Sequence, residues 1–226
     1  MKLASTVVLL FKDPDGFSSA IVNSLQPNPN SSSQTRQEPF VISLESYGIT
    51  DPKVSLDLIH FTDNSGSLKS SLILLDNYGP PILSCVLNEV VTVIESSASS
   101  DRLSLIVPFF SSILKSGSTN STLVAKHLGI ETATSCAITS KLPNPSQNFP
   151  IDYEPVACLI QFLRMKNLPA TVIIGLRERG SSEIKLIEEM GNLVADTMHA
   201  SFLKERISWV PSNSKKNNEP WLSLYG

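Results

Sequence analysis

From residue 80 onward the apolar residues of this chain switch repeatedly between helical and strand spacing, and few architectures accommodate that. Ile82, Leu83, Val86, Leu87, Val90, Val91 and Ile94 recur at helical intervals. Pro80 and Pro81 precede them, where a first helical turn tolerates proline. Residues 103–107 then form an apolar strand candidate that Pro108 is expected to stop. A helix is predicted over 151–166, with Val156, Leu159, Ile160, Phe162, Leu163 and Met165 leaving a narrow polar stripe through Gln161 and Arg164. A helix that apolar is expected between layers or beneath a partner. Asn167 and Pro169 break it, and 170–174 is the most strand-like run of the chain. The spacing of Ile184, Ile187, Met190, Val194 and Met198 predicts an amphipathic helix over 182–198. Continuously apolar strands alternating with helices predict an α/β fold, a single domain with a central sheet flanked by helices.

The first third reads as strand-rich. Strand candidates cover 6–11, 40–44, 54–61 and 71–75, and Asp13, Pro14, Asp15 and Gly16 supply turn chemistry after the first. Residues 26–39 are polar and proline-containing, and a mobile loop is expected there. With 226 residues, one large domain is the natural division: an α/β domain over 1–210, then a flexible linker and C-terminal tail over 211–226.

Several function classes have little support. Charged residues make up 17% of the chain, against roughly 25% in ordinary globular domains. The net charge of -3 gives no electrostatic reason to bind nucleic acid or an anionic membrane. No apolar run reaches the ~18 residues of a membrane helix. The run at 3–11 is followed by Lys12, Asp13 and Asp15 rather than a small-residue cleavage site, so it reads as a buried strand. Cys85, Cys136 and Cys158 are odd in number and form no Cys-x-x-Cys pair, which favours a reducing compartment and a cytoplasmic protein.

No catalytic constellation, metal set or cofactor is expected. His60 falls in a strand candidate, while His127 and His199 are expected near helix C-termini; none stands at ligand spacing to another donor. The segment 175–182 links a strand to a helix, the usual place of phosphate-binding loops. Arg177 and Arg179 could hold an anion there, which would make the chain a small intracellular α/β enzyme with an anionic ligand. The plainer reading has Gly180 in a turn and Ser181 or Ser182 capping the helix. The Gly-Lys-Ser/Thr of a Walker loop is absent.

The end of the chain is distinctive. A polar linker over 211–220 leads to Trp221, Leu222, Leu224, Tyr225 and Gly226. Such a tail either folds back as a last strand or serves as a docking peptide read through its terminal carboxylate. The last three residues, Leu224, Tyr225 and Gly226, match a hydrophobic-Tyr-any (HbYX) motif. Further upstream stand Leu142-Pro143-Asn144-Pro145, the mostly apolar helix, and Lys166-Asn167-Leu168-Pro169-Ala170 entering a strand. In these segments, and in the order helix, linker and tail, the chain resembles the proteasome assembly chaperone 1 family from about residue 70 to 226. The resemblance implies a non-enzymatic chaperone that pairs with proteasome assembly chaperone 2 as a heterodimer. It also implies binding to α-subunits of the 20S proteasome, promotion of α-ring assembly and prevention of off-pathway ring dimerisation. Leu224, Tyr225 and Gly226 are the residues it assigns to the α-ring pocket.

Overall fold

Period-two alternation splits the first strand between two cores. In β1 (Thr6–Phe11), Val7, Leu9 and Phe11 enter one hydrophobic cluster, while Val8 and Leu10 enter the other. A strand buried on both faces must lie inside a sheet with cover on each side. The computed structural model describes residues 2–29, 34–50, 54–97, 103–114, 121–145, 149–177 and 182–209, with the backbone alone at 112–114.

After β1 come α1 (Phe17–Ser24), β2 (Leu25–Pro27), β3 (Gln34–Ile42), β4 (Val54–Thr62), β5 (Leu68–Leu75) and α2 (Ile82–Ser97). The second half runs β6 (Ser104–Leu114), β7 (Leu123–Leu128), α3 (Ala133–Thr139), α4 (Glu154–Met165), β8 (Ala170–Arg177), α5 (Glu183–Met198) and β9 (Ala200–Phe202). A seven-stranded sheet has the order β3-β4-β5-β1-β6-β8-β7, and β2 pairs with β9 beside it. β5, β1, β6 and β8 are parallel; at one side β4 pairs antiparallel with β5 and β3 antiparallel with β4, and at the other β7 pairs antiparallel with β8. α2 and α4 cover one face through Leu83, Val86, Leu87, Val90, Leu159 and Leu163. α1, α3 and α5 cover the other through Phe17, Ile21, Ile138, Ile187, Met190 and Val194. The result is the expected mixed α/β domain with helices on both faces of one sheet.

Four local expectations change. Gln34–Pro39, expected within a loop spanning 26–39, forms most of β3, and residues 25–27 form β2. β3 is an edge strand that needs only the backbone ladder to β4, so its exposed polar side chains hide it from hydrophobic periodicity. β6 continues through Pro108 to Leu114. His127 sits in β7 rather than at a helix end, whereas His199 does cap α5 with φ 55°. Ile184 and Met165, counted as core positions, are 47% and 76% exposed. Each stands at a helix end, Met165 as the last residue of α4 and Ile184 as the second of α5.

His60 illustrates how this sheet buries a titratable group. Its side chain is enclosed, with Nδ1 2.9 Å from Ser71 Oγ, which also accepts the Ala4 N–H at 2.9 Å. Ser71 is fully buried, so the Ser71–His60–Glu38 row has no access to a substrate. Burial pushes the imidazole below its ordinary value of 6.5; Glu38 opposes this and Arg36 adds to it. The proton therefore prefers the unfolded chain. The stability contribution is complete above about pH 6.5 and is lost as pH falls below that value toward the lower folded pKa. The urea midpoint is expected to drop between pH 7 and pH 5, and His60→Gln to flatten that drop.

Candidate functional site

The two central strands part company before they end. β1 pairs with β6 only through Val8↔Ile106, yet it continues along β5 to Phe11↔Leu75, and β6 continues along β8. Pro108 accounts for this. The Ser104 N–H donates to Ser5 O at 2.8 Å, so strand alternation aims the nitrogen of Pro108 toward β1 as well. Proline has no N–H to donate there. The chain leaves β1 toward β5 on one side and leaves β6 toward β8 on the other, so the opening is the topological switch point of the parallel strands. Clefts at such points, outside the carboxyl ends of the strands, are the usual ligand sites of open α/β sheets.

A cleft of about 210 Å³ occupies this position. Phe11, Phe17, Phe109, Phe110 and Tyr153 give it aromatic walls, and Asp13, Asp15, Asp152 and Arg177 give it polar ones. Tyr153 meets Phe11 edge-on at 6.0 Å and stacks with Phe109 at 6.5 Å. Asp13 follows β1 and caps α1, accepting the Phe17 N–H at 3.0 Å and the Ser18 N–H at 2.7 Å. This lets the helix start directly after Gly16, whose φ of 79° turns the chain. Asp152 accepts the Ser111 hydroxyl at 2.9 Å. Arg177, at the end of β8, pairs with Asp15 and lies over the Phe17 ring, 4.9 Å from its centre.

Two donors in this cleft lack a hydrogen-bond partner among the described residues: the Tyr153 hydroxyl and Arg177 Nε. Burial, reinforced by the Asp13 carboxylate, pushes the Tyr153 phenol well above its ordinary value, so it remains a neutral O–H at physiological pH. A buried donor without an acceptor costs about 1–3 kcal/mol. A second, larger groove of about 410 Å³ lies over β4 and β5 beside α1, with Lys12 tied to Asp57 and Asp76 at its end. Its described lining holds no such orphaned donor.

The sites anticipated from sequence fall unevenly on this geometry. Arg177 belongs to the cleft, but its guanidinium is paired with Asp15 and stands 4.0 Å from Glu183. The N-terminal amides of α1 are likewise filled by Asp13. Among the described residues, the Arg177 guanidinium and the first amides of α1 are thus already matched by carboxylates of this chain. Arg179, Gly180 and Ser181 lie outside the described residues, as do Leu224, Tyr225 and Gly226. Asp13, Asp152 and Tyr153 were not singled out from sequence as site residues; turn chemistry around Asp13 was the one local signal. Cys85 and Cys158 are partly buried free thiols on α2 and α4. Among the described residues no group of three or more histidines, cysteines or carboxylates is placed to hold a metal, and no helix is long and apolar enough to cross a membrane.

The sequence pattern of the family described as "Domain of unknown function (DUF7894)" matches residues 1–226. The chain belongs to this family. No curated protein matches it. Solved structures share the domain's fold at low identity. PbaA from Pyrococcus furiosus, an archaeal homolog of proteasome-assembly chaperone, is 10% identical with a TM-score of 0.53, covering 92% of this chain and 87% of its own. PbaB from the same organism, an archaeal proteasome activator, is 7% identical with a TM-score of 0.52, covering 100% and 96%. A PAC2 family protein from Streptomyces avermitilis is 13% identical with a TM-score of 0.52, covering 89% of each chain. The DUF7894 domain thus has the fold found in PAC2-family and proteasome assembly chaperone homologues.

Proposed function

We propose that this chain is a non-enzymatic, cytoplasmic proteasome assembly chaperone that docks on the 20S α-ring through its C-terminal Leu224, Tyr225 and Gly226. One coincidence carries the reading: a hydrophobic-Tyr-any ending stands on a chain whose fold is also that of PbaA and PbaB. In this reading the domain over 1–210 binds proteasome assembly chaperone 2 as a heterodimer, and 211–226 tethers the docking residues. The partnership promotes α-ring assembly and prevents off-pathway ring dimerisation.

The physical argument begins where the described chain ends. Trp209 stacks on Phe17 with ring centres 5.4 Å apart, and its indole N–H donates to Asp15 O at 2.8 Å. The linker therefore departs from a fixed point at the carboxyl end of the sheet. The 15 or so residues beyond 211 reach up to ~50 Å when extended. Affinity would come from burying Leu224 and Tyr225, and specificity from pairing the terminal carboxylate with a cation in the pocket.

The test is binding of the full chain, co-expressed with its partner, to 20S α-rings, beside a variant lacking residues 224–226. Binding is expected to weaken at least about tenfold, or 1.4 kcal/mol, with the melting temperature unchanged. A truncation that melts early, with neither form binding, would make the tail a core strand and overturn the proposal.

A further inference from the structure

We propose that a hollow between β7 and the end of α4 holds this chain's own C-terminus, with Lys126 and Arg164 pairing the terminal carboxylate, so that the docking tail is kept on the domain until a ring competes for it. The inference rests on the reading of Leu224, Tyr225 and Gly226 as the docking end and adds a site that regulates it.

Strand alternation builds the hollow. Lys126 lies in β7 opposite Val172 of β8, and Val172 and Ile174 belong to the cluster beneath α4. The Lys126 side chain therefore turns to the α4 face. There it meets Arg164, from the last turn of α4, over apolar walls that include Leu128, Phe149, Ile160 and Val172. The volume is about 20 Å³, room for one group the size of a water molecule or a methyl. A ligand thus anchors one small apolar group in the hollow and lies across its rim.

Charge distinguishes this hollow from the two larger ones. In the cleft between β1 and β6, Arg177 is paired with Asp15, and in the groove over β4 and β5, Lys12 is held by Asp57 and Asp76. Lys126 and Arg164 have no ion-pair or hydrogen-bond partner among the described residues, and no carboxylate is among the described residues that line the hollow. Between Pro145 and Phe149 the sequence holds Ser146, Gln147 and Asn148, which carry no charge. Two cations on one rim repel each other, and a carboxylate between them removes that cost. The chemistry called for is an anion attached to apolar groups.

The end of this chain has that chemistry. Trp221, Leu222, Leu224 and Tyr225 are apolar or aromatic, and over 221–226 the terminal carboxylate is the one charge. Trp209 is held at Phe17 and Asp15. Residues 210–226 beyond it span up to roughly 55 Å when extended, whereas a domain of about 200 residues has a radius of gyration of about 16 Å. The tail therefore reaches round the sheet to β7. A tether of this kind supplies an effective concentration on the order of 1 mM. A site that binds the free peptide at about 0.5 mM would then hold two-thirds of the tails, and releasing them would raise ring affinity about threefold.

The experiment is 15N NMR of the full chain, compared with a Lys126→Gln, Arg164→Gln variant and with a chain extended by two glycines after Gly226. In the wild type the amides of 222–226 are expected away from random-coil positions, independently of protein concentration. Both changes should return them to random-coil positions and shift amides around Lys126, Phe149 and Val172. The extension moves the carboxylate by about 7 Å without altering the domain, which separates loss of the pairing from loss of the fold. The double variant, co-expressed with its partner, should also bind 20S α-rings about threefold more tightly. Tail amides at random-coil positions in the wild type would overturn the proposal, as would tail shifts that survive both changes. Shifts that grow with protein concentration would put the tail of a second copy in the hollow and overturn self-capture. A double variant that binds rings only as well as a binding wild type would overturn it too. If no form binds rings while the tail shifts still depend on Lys126 and Arg164, self-capture is supported and the docking reading falls.

Discussion

Phe17→Ala is expected to destabilise the domain by about 3–5 kcal/mol, as removal of a fully buried aromatic ring does. Phe17 is 1% exposed at the first position of α1, where three contacts converge. Its ring packs on Phe110 at 4.6 Å, stacks with Trp209 at 5.4 Å and lies beneath the Arg177 guanidinium. In a domain of this length the loss corresponds to a fall in melting temperature on the order of 10 °C. A second readout isolates the local event. The chain has two tryptophans, so replacing Trp221 with phenylalanine leaves Trp209 as the reporter. Removal of Phe17 should then shift its emission to the red as the indole loses its cover. Unchanged emission would show that Trp209 is not held against α1, and the linker would lose its fixed point of departure.

Gly191→Val should cost about 3 kcal/mol, the upper part of the range for overpacking. Glycine within a helix is ordinarily a disadvantage of about 1 kcal/mol relative to alanine, so its place in the middle of α5 calls for a packing reason. A Cβ at Gly191 would stand 2.2 Å from the Phe202 ring. That ring belongs to β9, whose register puts Phe202 opposite Leu25 of β2, and Leu203 N–H donates to Ser24 O at 2.9 Å just beyond. The bare surface of Gly191 is what lets the small β2–β9 sheet lie against α5. The prediction carries its own control: in a Phe202→Ala background the valine should cost much less, so the double variant should be less destabilised than the sum of the two singles. Additive urea-denaturation energies would refute the close approach.

The elements that were legible in the sequence are those whose burial is periodic. α2 and α5 lie close to the helical patterns predicted over 82–94 and 182–198, and β1 and β8 are the apolar runs predicted at 6–11 and 170–174. Elements held by other means were not legible. α1 is eight residues long and owes its start to the turn at Gly16 and the Asp13 carboxylate. α3 starts from a reciprocal cap between Thr132 and Ser135, with only Ile138 as a buried apolar anchor. β7 is short, and its Lys126, His127 and Leu128 are only partly buried. In the candidate site the sequence pointed to Arg177 as a cation for an external anion. It could not show the aspartate that pairs with it, because Asp15 is 162 positions away.

The amino-acid sequence by itself determined the layer architecture. Which residues alternate on a strand or recur around a helix is a local property, and two apolar faces per strand demand cover on both sides. Tertiary structure alone decided where the cleft opens and what lines it. Pro108 looks like the end of a strand until its neighbours are known; next to β1 it ends one ladder while β8 carries the same strand onward. Asp13, Asp152, Tyr153 and Arg177 come together because the crossover connections bring the carboxyl ends of β1, β6 and β8 to one edge. Strand order depends on the whole chain, and no window of sequence contains it.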